Sequence, residues 1–172
     1  MSKDLKGIAS WLSANRLSLN VLKTDFMVVG SRQRVASLEE DIVLSLLDTE
    51  LEKVKSVKCL GVDIDEYLTW DNHMLSIIQK VTRNLSVLRR VKPSLKTENL
   101  IDIYRSIIEP YFTYCCIVWD NISETQIVNL QKLQNRAARI ITGASYLQRF
   151  IDVLCELEWM TLETLRKRND RH

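Results

Sequence analysis

Two aspartates, Asp63 and Asp65, stand two residues apart in the stretch VDID. On a strand that spacing turns both carboxylates to one side. Such a pair can hold a divalent cation for phosphoryl chemistry. No third carboxylate and no glycine-rich phosphate cradle accompanies them, so the competing reading is two solvent-facing acids at a strand end. His73 would need a nucleophile on an elbow-like turn to work as a catalytic base, and no G-x-S-x-G is present. In the first turn of a helix it reads as an exposed or capping side chain. Cys59, Cys115, Cys116 and Cys155 form no C-x-x-C pair. They read as reduced, mostly buried thiols of an intracellular protein, and a zinc site is not expected. Lys23, taken alone, is a surface lysine.

The charges are more informative in their placement than in their sum. The 172 residues carry 24 Lys+Arg and 22 Asp+Glu. Residues 1–72 hold nine basic and twelve acidic side chains, while residues 73–172 hold fifteen and ten. No acid lies between Asp71 and Glu98, where Lys80, Arg83, Arg89, Arg90, Lys92 and Lys96 fall. Charge alone makes this a solvated helix face. Four glycines and two prolines are far below the roughly 12% of average usage. Long helices and few tight turns are therefore expected. No apolar run is long enough to span a bilayer, and the first residues have no targeting character. An intracellular protein, nuclear or cytoplasmic and not secreted, is expected.

The elements that must position these residues change character near residue 72. Leu5, Ile8, Trp11 and Leu12 lie at helical spacing from Lys3 to about Arg16. Leu17, Leu19 and Val21 alternate as in a half-buried strand. Phe26–Val29 reads as a buried strand closed by Gly30, and residues 31–41 as a loop. IVLSL pairs with Leu51–Val54 in a hairpin turning near Asp48-Thr49, and a further strand covers 57–64. Asp71 or Asn72 is the expected cap of a helix whose apolar face is Met74, Ile77, Ile78, Val81, Leu85 and Leu88. Lys80, Arg83 and Arg90 fall on its opposite face. Pro93 stops it, Thr97 starts the next helix, and Pro110 interrupts that one. The aromatic stretch YFTYCCIVW is expected in the core. Ser123 caps a helix with Ile127, Leu130, Leu133, Gln134, Ala137 and Ile141 inward and a stripe of Lys132, Arg136 and Arg139 at i, i+4, i+7. Gly143 suits its stop. Residues 150–168 read as one last amphipathic helix.

Five local patterns occur in order: WLSANRLSLNVLKTDFMVVG, VKCLGVDIDEYLTWDNH, IYRSIIEPYFTYCCIVW, LQKLQNRAARIITG and LCELEWMTLETLRKR. Together they resemble the reverse transcriptases of non-LTR (LINE-class, Jockey-like) retrotransposons, in the stretch after the catalytic core. The resemblance covers nearly the whole chain. It implies an α+β fold: short antiparallel palm-end strands with one helix, then an all-α thumb-like helical bundle. Residues 1–72 would be the end of the palm, 73–142 the thumb, and 143–172 the start of a truncated C-terminal helical region.

The same resemblance assigns roles. Lys23 matches a lysine thought to protonate the leaving pyrophosphate, where an ammonium can also offset developing charge. Leu60 and Gly61 match the core of a hairpin that grips the primer end. Lys80, Arg83, Arg90, Lys132, Arg136 and Arg139 would contact phosphates without reading sequence. The implied partners are an RNA template, an RNA/DNA or DNA duplex, and upstream palm and fingers; no membrane is implied. The family's metal-binding aspartates lie upstream, partly in a (Y/F)-A-D-D hairpin that this sequence lacks. No metal or cofactor is thus expected in this fragment, although the parent enzyme would use Mg2+. Cys59 replaces a common aromatic, and Asp48 a common turn glycine. Initiation at Met1 and an end soon after LRKR suggest a decayed element copy or a predicted open reading frame, and the missing carboxylates imply no polymerase activity alone. The alternative is a non-catalytic helical interaction domain derived from a retrotransposon.

Overall fold

A computed structural model describes residues 2–37, 42–47 and 49–169. It divides into two compact units, Met1–Thr69 and Trp70–His172. Helices and short strand pairs make the chain an α+β protein.

In the first unit, α1 (Ser2–Ala14) ends where Asn15 donates its backbone N–H to the carbonyls of Trp11 and Leu12. Its apolar stripe is not buried: Ile8 and Trp11 are both more than half exposed. The expected strand at 17–21 is absent, and Val21–Lys23 is instead a single 3-10 turn. Thr24 fixes that turn by donating its backbone N–H to Val21 O and its hydroxyl to Asn20 O. The apolar run 26–29 contributes only the edge of β1 (Asp25–Phe26), and Val29 is exposed. Part of the expected loop is α2 (Arg32–Ser37), started by Ser31, whose Oγ accepts the Arg34 N–H.

A first hairpin forms, but its return strand is Thr49–Glu50 rather than the expected Leu51–Val54, because Glu52–Lys53 pairs elsewhere. β2 (Ser45–Leu46) pairs antiparallel with β3 (Thr49–Glu50), and its turn residue Asp48 lies outside the described residues. β4 (Glu52–Lys53) pairs with β1 in parallel, so the expectation of purely antiparallel strands is corrected. The single strand read from alternation at 57–64 is a hairpin, as the resemblance implied for 56–65: β5 (Ser56–Cys59) and β6 (Val62–Asp65) meet antiparallel with Cys59 opposite Val62. Period-two alternation runs straight through a two-residue turn, which is why the pattern alone hides it. Leu46, Leu51 and Val62 are the buried apolar side chains of this unit among the described residues.

The second unit is helical. α3 (Asp71–Val91) buries Met74, Ile77, Val81, Leu85 and Leu88, the expected face. Its cap is not Asp71 or Asn72 but Trp70, held at φ 63°. Trp70 is buried and its Nε1 donates to Asn121 Oδ1 at 2.7 Å, which accounts for the unusual cap residue. Asp71 is drawn elsewhere, accepting from Gln126 Nε2 at 2.7 Å. Pro93 ends α3 in a 3-10 turn, Lys92–Ser94. α4 (Thr97–Ile107) and the one-turn α5 (Pro110–Thr113) are separated at Pro110, as expected.

The aromatic stretch is only half interior. Phe112, Cys116 and Trp119 are buried, while Tyr114, Ile117 and Val118 are exposed. His73 is also corrected. It is buried, with its ring 6.0 Å from that of Trp119. Of the cysteines only Cys116 is buried, and Cys59 and Cys155 are exposed. Burial pushes the Tyr104 phenol well above its ordinary pKa, the Glu109 carboxylate adds to this, and the Gln134 amide opposes it.

α6 (Glu124–Thr142) begins with a capping box. Gln126 N–H donates to Ser123 Oγ, and Ser123 N–H donates to Gln126 Oε1 at 2.8 Å. This satisfies donors that a helix start leaves open. It ends at Gly143, φ 81°, whose N–H reaches Arg139 O. A side chain on Gly143 would be strained there, and its Cβ would lie 3.1 Å from Lys92 Nζ. Gly143→Ala is therefore expected to cost about 1–2 kcal/mol, read as a lower urea midpoint with an unchanged m-value.

The last helix of the sequence reading is two: α7 (Phe150–Glu156) and α8 (Leu162–Asn169). Glu158, at φ 56°, breaks the run. The break is held by side-chain amides of α6. Gln134 Nε2 donates to Met160 O, and Gln131 Oε1 accepts the Leu162 N–H. Trp159 turns inward to stack on Tyr104 at 3.9 Å.

Candidate nucleic-acid interface

α6 turns one side inward and another outward. Leu133, Gln134, Ala137, Ala138 and Ile141 are buried. Their spacing leaves Lys132 and Arg136 exposed and Arg139 half-buried along one outer stripe. The stripe borders a basin of about 1020 Å³. Arg89 and Lys92 enter from the end of α3, and Arg149 from the segment before α7. Six cationic side chains therefore line one cavity, and among the described residues no acidic one does.

Backbone geometry makes this concentration tolerable. Both α3 and α6 terminate at the basin, and the carbonyl end of a helix carries partial negative charge. Arg139 is fixed rather than loose: its Nη2 donates to Gln148 O at 2.9 Å, and its guanidinium lies 5.4 Å from the Tyr146 ring centre. The remaining guanidinium and ammonium groups present a field suited to a polyanion. Phosphate oxygens are the natural complement, since Arg and Lys donate several hydrogen bonds and keep their charge.

The other sequence-derived residues are dispersed. Arg83 and Arg90 are exposed on α3 but outside the basin, and half-buried Lys80 holds its ammonium 5.9 Å from the Tyr111 ring centre. Lys23 is exposed on the 3-10 turn of the first unit. Leu60 and Gly61 form the β5–β6 turn, with φ of 47° and 86°. Two positive φ values in a two-residue loop define a type I′ turn. Glycine suits the second position. Leucine at the first costs about 1–2 kcal/mol and leaves Leu60 exposed at the tip.

Asp63 and Asp65 read best as structural acids. Asp65 Oδ1 accepts the N–H groups of Tyr67 and Thr69, and Oδ2 accepts the Thr69 hydroxyl. Both oxygens of Asp65 are thus committed to the turn that follows β6. Asp63 lies opposite Lys58 in the hairpin register. These residues do not fit a magnesium site. No group of three or more His, Cys, Asp or Glu that could hold a metal comes together among the described residues. No described helix is long and apolar enough to cross a membrane.

Sequence reasoning singled out the α6 stripe but not its companions. Arg89 and Lys92 were visible in the acid-free stretch before Glu98, yet nothing local distinguished them from Arg83 and Arg90. Arg149 and Tyr146 carry no sequence signal; only the chain reversal at Gly143 brings them to the basin.

Comparison with known proteins agrees with the ordered motifs. Over 121 residues the chain is 27% identical to a probable RNA-directed DNA polymerase from transposon X-element of Drosophila melanogaster, covering 68% of this chain and 13% of that protein. It is 28% identical over 112 residues to the RNA-directed DNA polymerase from mobile element jockey of Drosophila funebris, covering 63% and 12%. A probable RNA-directed DNA polymerase from transposon BS of Drosophila melanogaster matches 95% of the chain at 25% identity, covering 18% of that protein. The chain is thus similar to RNA-directed DNA polymerases of Drosophila mobile elements. It spans less than a fifth of the length of the relatives it matches. No family model matches it, and no solved structure matches it. The BS match runs through both structural units, so the reverse-transcriptase likeness is not confined to one of them.

Proposed function

We propose that this chain is the template–primer-holding part of a reverse transcriptase, with residues 1–72 as the end of the palm and 73–142 as a thumb-like unit. The observation that carries this reading is the cationic basin with Arg89, Lys92, Lys132, Arg136, Arg139 and Arg149 around it. Contacts to phosphate position a duplex without reading its sequence. Each neutralised phosphate releases counterions, so binding weakens steeply as salt rises. An RNA template paired with a DNA primer is the proposed ligand. Exposed Lys23 would serve as general acid and Leu60–Gly61 as the primer-end hairpin, both in the first unit.

Nucleotidyl transfer also needs metal-holding carboxylates. Asp65 is committed to its turn and the sequence has no (Y/F)-A-D-D. We therefore propose that the chain alone binds but does not polymerise.

Titration of a labelled RNA/DNA template–primer tests this reading. Saturable binding that falls with salt is expected, without magnesium-dependent extension. Absent binding, or binding indifferent to salt, overturns the interface. Extension by the chain alone overturns the assignment as non-catalytic.

A second reading, a protein-interaction domain, is favoured by exposed apolar side chains: Ile8 and Trp11 on α1, and Tyr114, Ile117 and Val118 in the helical unit. Such surface favours association through apolar contact. Binding that strengthens with salt, and self-association in size exclusion, would mark that reading instead.

A further inference from the structure

Tyr146 is the feature of the basin that phosphate binding does not use. Its side chain is 87% exposed, although a tyrosine ring normally gains by burial. One face lies toward the Arg139 guanidinium, 5.4 Å from the ring centre. That guanidinium is itself held by the Gln148 carbonyl. The loop is further fixed by Ser145, whose Oγ accepts the Leu147 N–H and whose carbonyl accepts the Gln148 N–H. The ring is therefore displayed on a short, hydrogen-bonded loop beside a cluster of cations.

A paired duplex offers phosphates and base edges to such a surface, but it hides the flat faces of its bases. An unpaired nucleotide offers both a phosphate and a π-face. Exposed aromatics beside a cationic groove are how single strands are held without sequence preference. An arginine beneath the ring adds cation–π attraction and limits the freedom lost on stacking.

We propose that the basin holds an unpaired stretch of nucleic acid next to the duplex, with one base stacked on Tyr146 and its neighbouring phosphates on Arg136, Arg139 and Arg149. This rests on the nucleic-acid reading above and narrows it to a single-stranded segment at this end of the helical unit. No base edge is read, so the site is sequence-tolerant.

The test compares a short oligothymidine strand with a blunt duplex of mixed sequence, using the whole chain. Tyr146→Ala is expected to weaken single-strand binding by on the order of ten-fold and duplex binding by much less, since the duplex loses only a contact that steadies Arg139. Tyr146→Phe keeps the ring and should restore the single-strand affinity. Equal affinity of the wild-type chain and Tyr146→Ala for the single strand overturns the stacking site. So does an equal loss for both probes. If neither probe binds the unmodified chain in a salt-sensitive way, the nucleic-acid reading itself has failed, and the stacking site falls with it. That outcome is distinct from duplex binding that persists without a role for Tyr146.

Discussion

Trp119→Ala is expected to lower the unfolding free energy by about 4 kcal/mol or more. Trp119 is fully buried. Its Nε1 donates to Tyr114 O at 3.1 Å, its ring faces His73, and the Arg166 guanidinium lies 5.8 Å from the ring centre. Removing an indole of this kind loses transfer free energy and leaves a cavity. A further cost comes from Arg166. Its side chain is 6% exposed, and its ion pair with Asp120 is long, at 3.7 Å. A buried guanidinium so weakly paired depends on the ring for compensation. The loss is a large part of the roughly 5–15 kcal/mol that holds a typical domain folded. Urea unfolding followed by circular dichroism gives the value. Trp119→Phe keeps an aromatic face and should lose less than Trp119→Ala. Equal losses would show that the guanidinium does not depend on the ring.

The helical unit was legible in the sequence because its periodicity is strong and its punctuation is unambiguous. Six apolar positions between Met74 and Leu88 repeat at helical spacing, and five of them are buried. Pro93, Pro110, the Ser123–Gln126 box and Gly143 act locally, so each boundary could be read without knowing its neighbours. The first unit was less legible for the opposite reason. Its strands are two to four residues long, too short for alternation to distinguish a turn from a continuing strand. The run from Phe26 to Val29 looked interior by composition, yet what lies against a strand is a tertiary fact. His73 shows the same limit. Its position in the first turn of α3 suggested solvent, but Trp119, distant in sequence, covers it. The tail failed because LCELEWMTLETLRKR keeps an apolar rhythm across Glu158, while the break is fixed by Gln131 and Gln134 on another helix. The site divided along similar lines. One stripe, Lys132, Arg136 and Arg139, belongs to one helix and was visible; the basin needs three segments and was not.

Replacing Arg89, Lys132 and Arg136 together with glutamine is expected to weaken template–primer binding by roughly 100-fold at low salt. This takes about 1 kcal/mol for each solvent-screened charge–phosphate contact. The three side chains come from two helices but border the same cavity. Their loss should reduce the magnitude of the salt slope by about 2.7, since each phosphate contact contributes about 0.9. The comparison variant neutralises Lys80, Arg83 and Arg90. It removes the same formal charge, so any effect of net charge on encounter is matched. Those side chains lie outside the basin, and the Lys80 ammonium is already placed over Tyr111. A smaller loss and a smaller change in slope are therefore expected from the second triple. Circular dichroism establishes that both variants keep their helices. Equal losses would mean that the duplex is held by general charge on the helical unit rather than by the basin. A loss confined to the second triple would move the interface to the outer face of α3, where the family resemblance had placed part of it.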